Sequence, residues 1–167
     1  MDKRGDLSLE NNDQIKSRIS KALPKLGTFE VVRAATNRYN CFAWAAGRDD
    51  RPWGPSDKPY YWPDHVAKEE SLLAYQAAFR SLGYESCFID EIQEEGFEKI
   101  AIFARGVVPS HASRQLANGW WTSKLGDNWV IEHENLRGLE GPLYGRVALV
   151  MKRPLDASPP EQPKKAE

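Results

Sequence analysis

Apolar positions recur at two different periods along this chain, and the change of period divides it. In residues 9–23, Leu9, Ile15, Ile19 and Leu23 return at near-helical spacing with polar residues between them. That pattern predicts a mostly polar surface helix, ended by Pro24. Residues 29–33, Phe-Glu-Val-Val-Arg, alternate weakly and are rich in β-formers, which predicts a strand. The clearest helical stripe follows in residues 71–82. It consists of Leu72, Leu73, Tyr75, Ala78, Phe79 and Leu82, with Glu69 and Glu70 favouring its start and Gly83 stopping it. Residues 85–89 make a short strand candidate. Beyond them the period becomes two, with predicted strands at 98–104, 107–116, 120–125, 129–133 and 144–152. Asn118-Gly119 is a strong hairpin signal between the second and third of these. In the last strand, Val147, Leu149 and Met151 are expected on one face. Helices ahead of strands predict an α+β domain with an antiparallel sheet.

Two segments break both periods. Residues 48–63 hold Arg, Asp, Gly54 and four prolines, which excludes a regular element, yet they carry Trp53, Tyr60, Tyr61 and Trp62. So aromatic a loop is expected to fold down on the core, and a wall of a substrate groove beside Cys41 is compatible with that packing. From Pro154 onward Pro, Glu, Lys and Ser dominate, which predicts a disordered tail over 154–167. The expected organisation is a helical segment at 1–27, one domain at 28–153, and that tail.

The candidate chemistry centres on residues 39–47, Tyr-Asn-Cys-Phe-Ala-Trp-Ala-Ala-Gly. Asn40 is a helix N-cap residue, Phe42, Ala45 and Ala46 supply an apolar face, and Gly47 stops the helix. Cys41 then lies in the first turn, where free N–H groups favour a thiolate, the form that acts as nucleophile. Cys87, in contrast, sits inside an apolar strand candidate and reads as a buried, inert thiol. A base is sought among three histidines. His111 lies on a predicted strand of the sheet half, and a nucleophile on an early helix with a base on a later strand is how cysteine hydrolases are assembled. Thr122, Ser123, Lys124, Asp127, Glu132 and His133 are candidates for the group that orients it.

Composition narrows the classes. The 167 residues carry a net charge of −1, so no basic field exists to hold a nucleic acid. Two cysteines are too few for a disulfide framework, and no Cys or His spacing fits a metal, so neither metal nor cofactor is expected. No apolar signal core follows the charged N-terminus and no run approaches a membrane span, which predicts a cytoplasmic protein with reduced thiols. The sequence leaves the oligomeric state open.

Several segments together resemble a known pattern. They are Tyr39-Asn40-Cys41-Phe42-Ala43-Trp44-Ala45, Gly96-Phe97-Glu98-Lys99-Ile100-Ala101, His111-Ala112-Ser113-Arg114-Gln115-Leu116, Trp121-Thr122-Ser123-Lys124-Leu125-Gly126, Ile131-Glu132-His133 and Leu139-Glu140-Gly141. Their order is similar to an uncharacterised bacterial family of small papain-like-fold domains and, more distantly, to the NlpC/P60 and CHAP-type amidases. The resemblance implies a papain-like fold, with Cys41 at the nucleophile position, His111 at the base position and Ser123 at the orienting position. It implies a thiol hydrolase or acyltransferase acting on an amide or peptide bond, with Trp53, Tyr60, Tyr61 and Trp62 lining the groove. The chain departs from the amidases at Ser123, where they use Asn, Asp, Gln or His, and after His111, where their glycine-rich pattern is missing. A catalytically inactive binding or toxin-related module with a protein partner is the alternative.

Overall fold

The computed structural model describes residues 9–155. Helix α1 spans Leu9–Ala22, strand β1 Phe29–Arg33, helix α2 Cys41–Ala45 and helix α3 Leu72–Arg80. Strands β2 Glu85–Cys87, β3 Phe97–Arg105, β4 Val108–Gln115, β5 Trp121–Lys124, β6 Val130–His133 and β7 Arg146–Pro154 follow, with a 3₁₀ turn at Arg137–Leu139 before the last. All seven strands join one antiparallel sheet in the order β1-β6-β5-β4-β3-β7-β2.

This corrects the expected architecture of N-terminal helices followed by a sheet in a papain-like α+β fold. The sheet draws on nearly the whole described chain. Strand β1 precedes the cysteine helix and forms one edge, and β2 follows α3 and forms the other. Their sequence signals are weak because edge strands are only partly covered. In β1 only Phe29 is buried, and no residue of β2 is.

The helices cover both faces of the sheet. On one face α2, α3 and the aromatic loop pack over Ile100, Ile102, Ala112, Val130 and Met151. On the other, Ile15 and Ile19 of α1 and Leu23 just after it join Ala101, Phe103, Trp121, Ile131 and Val150. The predicted N-terminal helix is thus part of the same packing as the sheet. Strand β7 changes face at a bulge, because Ile102 pairs with Leu149 but Phe103 pairs with Val147. Val147 therefore packs on the α1 side and Met151 on the α2 side, not on one face as the alternation alone implies.

Local chemistry fixes the turns. Gly119 takes a φ of 93° in the β4–β5 hairpin, where a side chain would be strained. At Gly145 a Cβ would stand 2.0 Å from the Ala104 carbonyl oxygen, so only glycine lets β7 start beside β3. Strand β7 runs on to Pro154, and Leu155 N–H donates to Gly96 O at 2.9 Å. The rest of the expected tail lies outside the described residues. No described helix is long and apolar enough to cross a membrane.

Candidate functional site

Cys41 opens α2 as expected from its neighbours. Asn40 caps the helix, with its side-chain oxygen accepting from Ala43 N–H at 3.0 Å. The same oxygen accepts from Trp53 N–H at 3.0 Å, and the Asn40 amide donates to Trp53 O at 2.8 Å. One side chain therefore caps the cysteine helix and anchors the aromatic loop to it. A capping motif in sequence announces only the first role.

The loop is core. Trp53, Tyr61 and Trp62 are buried, with the Trp53 ring 4.8 Å from Tyr61 and 5.9 Å from Phe79, and Trp62 5.0 Å from Tyr75. Trp62 Nε1 donates to Ala67 O at 3.0 Å, so its polar edge is also satisfied. Only Tyr60 of the four is exposed.

The Cys41 thiol is enclosed by this packing. Burial pushes it up to about 12, against the opposite pull of the backbone N–H groups of Ala112, Cys41 and Phe42 and of the Lys124 ammonium. Lys124 is buried on the same side. It donates to Thr36 O at 2.6 Å and Gly126 O at 2.5 Å and lies 5.1 Å from the Tyr39 ring. Desolvation lowers it to about 8, although the charges of Asp127 and Cys41 favour the ammonium. Thr122 also faces this side, accepting from Trp44 Nε1 at 2.9 Å.

His111 is on the other side. It pairs with Phe103 across the strands, while its neighbour Ala112 pairs with Ile102. Successive residues of a strand point to opposite faces. Ala112 accordingly packs with Cys41 and Ile102, whereas the His111 ring stacks on Tyr144 at 4.1 Å and meets Phe103 edge-on at 5.4 Å. Neither ring nitrogen of His111 has a hydrogen-bond partner among the described residues. Burial, helped by the nearby His133, drives its pKa down to about 3. The structure thus does not bring Cys41 and His111 into hydrogen-bonding contact.

Ser123 serves a different histidine. Its Oγ lies 2.9 Å from His133 Nε2 and 2.6 Å from Ser113 Oγ, and His133 Nδ1 lies 3.3 Å from Asn135 O. A carbonyl only accepts, so Nδ1 carries the proton and Nε2 accepts from Ser123. Ser123 then accepts from Ser113. The chain Ser113→Ser123→His133→Asn135 O satisfies a neutral imidazole at every step, and burial holds His133 at about 4. All three side chains are buried, and no substrate atom could reach the serine hydroxyls without opening the sheet's α1 face. His65 is exposed on the loop before α3. Cys87 is half-buried, and its thiol donates to Val150 O at 3.6 Å. No group of three or more His, Cys, Asp or Glu among the described residues is placed to hold a metal ion.

A cleft between α1 and the β5–β6 turn is lined by Arg18, Ile19, Leu23, Leu125, Trp129 and Tyr144 among others. Its residues come from three distant segments, so no local motif marks it.

No curated protein and no solved structure matches the chain. The resemblance to papain-like domains and to the NlpC/P60 and CHAP-type amidases therefore gains no support from known proteins. A family match does exist and covers most of the chain. Residues 30–152 match the domain of unknown function DUF7689, and the protein belongs to that family.

Proposed function

We propose that this domain binds a ligand or partner without turning it over. The observation that carries this reading is the alternation of β4, which sends His111 to the α1 face while Ala112 packs beside Cys41. A thiol hydrolase needs a thiolate and an imidazolium that share a proton. Here burial pushes the thiol up and the imidazole down, so both groups are held in their neutral forms and the imidazole is a poor base for the thiol. Both side chains read instead as filling of a continuous interior. The hydrolase expectation would require a second arrangement of β4 against α2.

The test is a histidine titration by NMR. The ring carbon-bound protons of His111 should not titrate between about pH 5 and 8, and Cys41→Ser should leave them unmoved. A His111 pKa that shifts by about one unit in Cys41→Ser would reveal a coupled pair and restore the hydrolase reading.

A further inference from the structure

We infer that the cleft beside α1 is a binding site for an apolar group that carries a carboxylate. This deepens the binding-module reading and rests on it. The cleft has a volume of about 220 Å³. A closed apolar cavity of about 150 Å³ is enough for a benzene ring. Its walls are Ile19, Leu23 and Leu125 with the rings of Trp129 and Tyr144, and Leu143 stands half-exposed at its rim. The cleft is open on one side, so its walls would cover one face of an aryl or branched alkyl group.

The polar atoms at this cleft favour an anion. Arg18, in the cleft's lining, places its guanidinium 5.1 Å from the centre of the Trp129 ring, which holds it against that wall. Among the described residues Arg18 has no carboxylate partner, and the Asn128 backbone N–H donates to Leu125 O at 2.8 Å while its side chain stays exposed. No Asp or Glu lines the cleft, and Asp127, next to Asn128 on the turn, is not part of its lining. Lys21, one turn on from Arg18 along the same helix, adds to the positive potential there, whereas Lys16 is paired with Glu30 at 3.3 Å. A planar guanidinium beside an aromatic wall is matched to a carboxylate that lies just outside a buried ring. Two sources share this chemistry: a free aryl or alkyl acid, and the last residue of a peptide that ends in an apolar side chain.

The cleft is held in shape independently of any ligand. Tyr144 is clamped from behind by the stacked His111 ring, and its carbonyl accepts from Ser110 Oγ. Leu125 N–H donates to Trp129 O at 2.9 Å and closes the turn that presents Trp129.

The experiment titrates 3-phenylpropionate, its amide, N-acetyl-Gly-Gly-Phe and the amide of that tripeptide into the full-length protein, followed by NMR. The acids should shift the Trp129 indole N–H and the methyl groups of Ile19 and Leu125. They should bind about fivefold tighter than the matching amides, the discrimination that one exposed charge pair supplies. Arg18→Gln should erase the difference between acid and amide, and Ala22→Trp, at an exposed position on the cleft's edge, should block all four probes. Preference for the tripeptide acid over phenylpropionate assigns the site to a peptide C-terminus, and the reverse order assigns it to a small acid. Absence of shifts at these three residues up to about 10 mM probe, or equal binding of acid and amide with Arg18 present, overturns the assignment. Either failure leaves the histidine titration untouched, so a wrong site and a wrong functional class are told apart.

Discussion

Trp53→Ala should lower the unfolding free energy by about 3–5 kcal/mol, the range for a buried large aromatic cut to alanine. Trp53 is 2% exposed and joins Tyr61 and Phe79 in one aromatic cluster, so the truncation leaves a void that neighbours cannot fill without moving α3. The loss would be a large part of the 5–15 kcal/mol that holds most domains together. Tyr60→Ala tests the same loop at a position 41% exposed and should cost under about 1 kcal/mol. Urea denaturation of the two variants gives the comparison. Similar stabilities would mean that the loop is a detachable wall and not part of the core.

Acid should destabilise the protein well before its carboxylates are protonated. His111 and His133 are held neutral at about 3 and about 4, whereas a histidine in the unfolded chain titrates near 6.5. Above about pH 6.5 neither state takes up a proton at these rings, and the two histidines cost nothing. As the pH falls below that value the unfolded chain binds protons that the folded chain refuses. Stability is then lost down to the folded values near 3 and 4, where the loss levels off. At pH 5 the loss should reach about 2 kcal/mol for each ring, about 4 kcal/mol together. His111→Phe keeps the contacts to Tyr144 and Phe103 and should remove about half of the slope between pH 5 and 7. A flat stability profile across that interval would contradict the burial of both rings.

These effects mark where the sequence was legible. Local signals located the individual segments well. The cap at Asn40, the stripe of α3 and the Asn118-Gly119 hairpin each depend on residues a few positions apart, and each stands where those residues put it. The architecture was harder to see because it depends on pairings that no local pattern encodes. Strand β1 lies beside β6, about a hundred residues later in the chain, and β2 lies beside β7. The expected catalytic pair failed to come together for a related reason. A period of two tells which residues of a strand share a face, but not which face meets the cysteine helix. At β4 that choice went to Ala112, and one residue of register separates a dyad from two core side chains. Ser123 reached a histidine, but it was His133, its diagonal neighbour on the same face of β6, whose direct partner is Trp121.

The state of the Cys41 thiol separates a binding module from a thiol hydrolase. The direct measurement is its alkylation rate by iodoacetamide from about pH 6 to 10, mapped by mass spectrometry in wild type and His111→Phe. With the thiol buried and raised to about 12, Cys41 should react more slowly than half-buried Cys87 throughout, at a rate set by opening of the fold. His111→Phe should not slow it. A Cys41 that reacts faster than Cys87 near neutral pH, with a thiolate titration that disappears in His111→Phe, would contradict the account and establish a working dyad.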